Sequence, residues 1–195
     1  MMKKLLFTLL LTAVALTAPA QNILDALKGV ASDAIDKATG GKLTEQALIG
    51  EWQYARPGVK IGGEGVSGAL GGAVLQSQLE QKLETVLEKA GIKPGACVFV
   101  FDRQNNVEVR MSQKSKKGTY EYAPDSHQIV LKFGSSALAE FTGQIYLDGT
   151  NLQLLFPADK LVSLLKTVGS ALPSNGATAL LKNFDKMSVG LEFTK

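Results

Sequence analysis

The chain has 195 residues, 45% apolar and 20% charged, with a formal net charge of +3. That supports one domain with a real core and excludes disorder, collagen-like repeats and a disulfide-rich miniprotein. One Cys and one His leave almost no thiol or imidazole supply for a metal site, so neither a metal nor a cofactor is expected.

Lys3 and Lys4 precede an apolar run, Leu5 to Leu16, broken only by threonines, and Ala18-Pro19-Ala20 then offers small residues to a peptidase. This is the pattern of a secretory signal peptide over residues 1–20, cut before Gln21. The run is too short to span about 30 Å of hydrocarbon comfortably, and no Cys follows it to form a lipobox. The expected product is a secreted or periplasmic chain with no membrane span. Removing Lys3 and Lys4 leaves 19 basic against 18 acidic side chains, so the mature charge balance asks for neither nucleic acid nor an anionic membrane.

Ile23, Leu24, Leu27, Val30, Ala31, Ala34 and Ile35 recur at helical spacing, which predicts an amphipathic N-terminal helix, residues 22–38, within a segment 21–42. Its mixed, acidic polar face suits packing on the domain or docking on an envelope protein better than lying on a membrane. Thr44 is placed to cap a short helix ending near Ile49. Trp52-Gln53-Tyr54 then reads as a strand, with Pro57-Gly58 as its stop. Gly58 to Gly72 holds seven glycines in fifteen residues, and a second helix grows out of it (residues 66–90), with Leu75, Leu79, Leu83, Val86 and Leu87 on its apolar face. Gly91 and Pro94 end it.

Short alternating strands follow: 96–102, 107–112, 119–123 and a strand through Ile129 to Phe133. Two more run through Phe141 to Leu147 and through Leu152 to Phe156. Lys114 to Gly118 reads as a turn carrying a small solvated lysine cluster, and Pro124 to His127 as another turn. Leu161, Leu164 and Leu165 mark a third helix, residues 177–184 a fourth, and Met187 to Phe193 a last strand that returns to the first. The sum is a mainly β, α+β chain whose barrel domain covers 43–195. Eight antiparallel strands can close a barrel around side chains or one small ligand, and an open sheet covered by helices is the rival.

The short helix followed by Gly50-x-Trp52 at the head of an eight-stranded meander resembles the calycin or lipocalin opening motif. The fuller pattern is Trp52-Gln53-Tyr54, a Gly-rich stretch with a helix between the first two strands, Gly118-Thr119-Tyr120 and Val189-Gly190-Leu191-Glu192-Phe193. It resembles a lipocalin-like family of functionally undefined secreted proteins common in Bacteroidetes. The resemblance implies a fold, with Trp52 closing one end of the barrel, and no substrate. Lipocalins carry an Arg near the last strand that packs on this Trp; here the basic residues are Lys186 and Lys195.

Several patterns are set aside. Gly63-Glu64-Gly65-Val66-Ser67-Gly68 matches a dinucleotide fingerprint in letters, but antiparallel strands and a misplaced acid remove its context. Asp125, Ser126 and His127 share one turn, where triad members rarely converge. Cys97 alternates with Phe99 and Phe101 as a buried small apolar side chain. No catalytic pair emerges, and the chain is read as a non-enzyme.

The inward set is Trp52, Tyr54, Phe99, Phe101, Val109, Met111, Tyr120, Tyr122, Leu131, Phe133, Ile145, Leu154, Leu191 and Phe193, with no charge interrupting it. A hollow barrel would bind a small hydrophobic ligand through Tyr54, Phe99, Phe101, Met111, Tyr120, Tyr122, Phe133 and Leu154, oriented by tyrosine hydroxyls. A filled barrel would instead serve as an envelope interaction module docking through helix 22–38.

Overall fold

Period-two alternation leaves one side of each strand apolar, and a sheet that curls until its first and last strands meet hides that side completely. The computed structural model describes residues 36, 38–60, 71–111, 114–136, 139–169, 172, 174–184 and 187–195. Its elements are α1 (Lys42–Leu48), β1 (Gly50–Lys60), α2 (Gly71–Lys89), β2 (Cys97–Phe101), β3 (Asn106–Met111) and β4 (Lys114–Ala123). A 3₁₀ turn (Pro124–Ser126), β5 (Gln128–Lys132), β6 (Glu140–Asp148), β7 (Asn151–Pro157), α3 (Ala158–Thr167), α4 (Ser174–Asn183) and β8 (Ser188–Thr194) complete them. The leader, most of helix 22–38 and the Gly63–Gly68 motif lie outside the described residues; Asp36 and Ala38 are helical.

The eight strands form a closed antiparallel barrel in sequence order, with β8 returning to β1. The open sheet is thereby excluded, and the barrel keeps no free edge along its circuit. The closing pair carries an irregularity between Tyr54 and Arg56. Beyond it Arg56 faces outward opposite Glu192, while Pro57 and Val59 face inward opposite Leu191 and Val189. Glu192 is almost fully buried, yet each carboxylate oxygen has two donors. Arg56 Nε (2.8 Å) and Asn151 Nδ2 (2.7 Å) serve Oε1. Arg56 Nη2 (2.8 Å) and Gln153 Nε2 (3.0 Å) serve Oε2. A charge removed from water persists only with such pairing.

Pro57-Gly58 does not stop the first strand, which runs on to Lys60. β2 pairs with β1 only as far as Gln53, so Pro57 lies where the strand has one ladder neighbour and its missing N–H is tolerated. Nor does Lys114–Gly118 form a turn. These residues are the first half of β4, paired with β3 from Met111–Lys114 to Val107–Gly118. Gly91 ends α2 as its position predicts: its φ of 82° is left-handed, and Ile92 N–H donates back to Leu87 O at 2.9 Å.

β1 leaves α1 at one end of the barrel, called here the α1 end. α2 joins β1 to β2, and α3 with α4 joins β7 to β8, all at the opposite, distal end. Leu83 and Leu87 of α2 and Leu161 and Leu164 of α3 are fully buried in the same apolar core as the inward strand residues. Each such leucine contributes about 2 kcal/mol from area removed from water.

Candidate ligand-binding site

Register decides which side chains face the barrel interior. Trp52 lies opposite Phe99 and Phe99 opposite Val109, Cys97 opposite Met111, and Tyr54 opposite Phe193. On the far wall Tyr120 is opposite Leu131, and Leu154 is opposite Leu191. Phe133 follows the end of β5 and is buried. The sequence-predicted residues therefore share the inner side of the wall, but they divide between its two ends. Phe99 meets Phe193 with ring centroids 5.1 Å apart, Phe101 meets Tyr120 at 5.2 Å, and both pairs are edge-on.

The α1 end is a polar lattice with its bonds made. Gly41 precedes α1 with a φ of 75°, and a Cβ there would meet Pro124 O at 2.1 Å, so the helix start is pressed on the β4–β5 turn. Thr44 does not cap α1; it is the third helical residue, and the capping acceptor comes from outside. Asp36, 2% exposed, accepts the Thr44 N–H on Oδ1 (3.0 Å) and the Thr44 hydroxyl on Oδ2. The same hydroxyl oxygen accepts Leu147 N–H of β6 at 3.2 Å. Tyr122 hydroxyl donates to Gly41 O (3.3 Å) and lies 3.2 Å from His127 Nδ1, itself 3.7 Å from Asp36 Oδ2. With one phenol proton committed to Gly41, the arrangement that satisfies all three groups puts a proton on His127 Nδ1. Burial, then the Asp36 charge, raises the Tyr122 phenol well above its ordinary range. Ser126 Oγ turns away to Ala123 O at 3.4 Å, so Asp125, Ser126 and His127 form no triad.

Tyr120 is also engaged, donating to Asp102 O at 2.9 Å, and burial with the Asp102 charge pushes it up to about 12. Trp52 Nε1 donates to Leu48 O at 2.8 Å. Lys195 lies on the indole, with Nζ 4.7 Å from the ring centroid, while Lys186 lies outside the described residues. It also donates to Ala47 O (3.1 Å) and Ile49 O (3.0 Å). Partial burial pushes this ammonium down to about 8 against the pull of the carbonyls and the ring.

Tyr54 differs from the other inward tyrosines. It is 2% exposed, meets Phe193 edge-on at 6.4 Å, and its hydroxyl has no hydrogen bond with any described residue. Burial, then Glu84, Cys97 and Glu88, raises it far above the ordinary phenol range, so it stays neutral. Cys97 is pushed up to about 12 by burial and carries no thiolate at neutral pH. Beyond these groups the inner wall is not wholly uncharged, contrary to the expectation above. Lys116 lies opposite Val109 and Lys114 opposite Met111, which places both on the inward side of β4.

Asp36, Lys114 and Lys116 are the residues that sequence reading misses. Asp36 sits on the polar face of a helical repeat, and only its tertiary partners reveal its burial. The lysines read as a solvated tip, and the signal that finds them is the two-residue spacing that continues back from Tyr120 through Gly118.

Among the described residues no group of three or more His, Cys, Asp or Glu is placed to hold a metal, and no helix is long and apolar enough to cross a membrane. The family described as Lipocalin-like domain (DUF4923) matches residues 23–195. No curated protein and no solved structure matches the chain.

Proposed function

The chain belongs to the lipocalin-like DUF4923 family, and from that premise we propose that it is a secreted or periplasmic, non-catalytic carrier that holds a small hydrophobic ligand inside the barrel. The observation that carries the reading is the Tyr54 hydroxyl, buried on the inner wall with no hydrogen-bond partner among the described residues. Buried polar groups are nearly always hydrogen-bonded, and one left over inside a barrel fits the single handle that orients an apolar ligand. Tyr120 and Tyr122 spend their hydroxyls on backbone at the α1 end. The handle is therefore Tyr54, with Met111, Phe99 and Leu154 as apolar lining, and the ligand occupies the distal half. Trp52 and α1 close the other half.

Native mass spectrometry of the purified chain tests this: a co-purifying small apolar molecule is expected. Its absence, together with no displacement of a fluorescent apolar probe, overturns the reading. The Tyr54→Phe variant should bind a hydrogen-bonding ligand about tenfold more weakly, the worth of one buried hydrogen bond.

A second reading rests on the linked rings Phe101, Phe99 and Phe193, with Tyr54 at their far end. If they fill the interior, the chain acts as an envelope interaction module through helix 22–38. Deleting residues 21–34 would then abolish partner capture and leave the barrel folded.

A further inference from the structure

The wall of the barrel is not equally high all round. β5 ends at Lys132, opposite Thr119, so the first four residues of β4, Lys114–Lys117, have a ladder partner on β3 and none on β5. In this notch the inner side of the sheet meets water. Val109 and Met111 on β3 are buried, whereas Lys116 and Lys114 directly opposite them are exposed. The Lys114 stem lies beside Gly169, just past α3, since a Cβ there would meet its Cδ at 3.4 Å. That contact turns Lys114 toward the distal end.

Three basic residues on the outer side of the same sheet are charge-paired, whereas outward Lys60 lies over the Tyr146 ring and outward Lys117 stands opposite Glu108. Arg56 has Glu192, Arg110 has Glu51 and Glu108, and Lys132 has Glu121 at 2.6 Å. Lys114 and Lys116 form no ion pair with any described residue. Two like charges two residues apart on one face of a strand repel each other, and an anion between them would relieve that.

We infer that the notch between β4 and the end of β5 is the ligand entrance, and that Lys114 and Lys116 receive the anionic head of a single-chain amphiphile whose apolar tail passes Met111 into the barrel. The inference rests on the proposed carrier function and adds to it the charge and place of the head group. It also fixes the orientation of the ligand: head at the rim on β4, tail directed inward.

The test measures binding of dodecanoate, dodecyl phosphate and dodecanol to the wild-type chain, to Lys114→Gln/Lys116→Gln and to Lys117→Gln. Lys117 is one residue away but faces outward opposite Glu108. Both inward lysines are exposed, so the double variant should fold. Its affinity for at least one of the two anions should drop about tenfold, with dodecanol unchanged and Lys117→Gln near wild type. Which anion binds more tightly tells a carboxylate head from a phosphate head. The wild-type preference for the anion should also shrink as ionic strength rises. Dodecanol binding as tightly as both anions, or an equal loss in Lys117→Gln, overturns the entrance and leaves the carrier function standing. If none of the three chains binds, both readings fall.

Discussion

The two ends of the barrel treat polar side chains in opposite ways. At the α1 end, Asp36, Thr44, Tyr120, Tyr122, His127, Trp52 and Lys195 are tied to backbone or to one another across α1, β1, β4 and β6. At the distal end a buried phenol has no hydrogen-bond partner and two inward lysines have no carboxylate among the described residues, and Val74 and Leu75 of α2 are exposed. A folded chain holds itself together where its polar groups are satisfied and meets other molecules where they are not. Under the proposed carrier function, the α1 end is the anchor of the fold and the distal end its working surface.

The contrast can be broken most forcefully at Trp52. Trp52→Ala removes a fully buried ring together with its bond to Leu48 and should cost about 4 kcal/mol in chemical denaturation. Asp36→Ala is next: it strips the acceptor from the Thr44 N–H inside the fold, and a loss of about 2 kcal/mol is expected. Smaller still, Tyr120→Phe and Tyr122→Phe should each lose about 1 kcal/mol. Tyr54→Phe should lose nothing, or gain slightly, because its hydroxyl is already desolvated without a bond to any described residue. A Tyr54→Phe loss equal to the other two would erase the distinction between the ends.

The smallest effect is a pH dependence at Lys195. Its folded value, about 8, lies below the ordinary 10.5. Above pH 8 the folded chain releases this proton while the unfolded chain still holds it, so this group adds stability as pH rises from about 8 to 10.5. Below 8 that contribution is absent. Cys97 and the tyrosines, whose values are raised, pull the other way as they titrate in the unfolded chain. The quantity to measure is thus the difference between wild type and Lys195→Gln at pH 7.5 and 9; a difference that does not change refutes the assignment.

Much of this arrangement was legible beforehand because alternation is a local signal. The run from Cys97 to Phe101 announces its inner side by residue type, and so does Phe141 to Leu147. The opening Gly50-x-Trp52 was legible only through its resemblance to the lipocalin opening motif, and the return of the last strand to the first only through the count of strands. What could not be read depends on partners far along the chain. Asp36 looks like any acid on a helix until Thr44 and His127 converge on it. Lys114 and Lys116 carry the charge that normally marks a turn, and only their register against Val109 and Met111 turns them inward. Pro57-Gly58 resembles a stop because the missing N–H matters only where a second neighbour would need it.

The closing seam has a consequence for how the chain reaches this state. Arg56 and Glu192 are 136 residues apart, and Lys195 and Ala47 are 148 apart. Bringing such distant segments together costs chain entropy before any contact repays it, so sealing the circuit belongs late in folding. Until β8 is in place, β1 and β7 are bare strand margins able to template pairing with other chains. Interrupting the polypeptide before Ser188 would accordingly leave no smaller barrel, only an unsealed sheet prone to self-association.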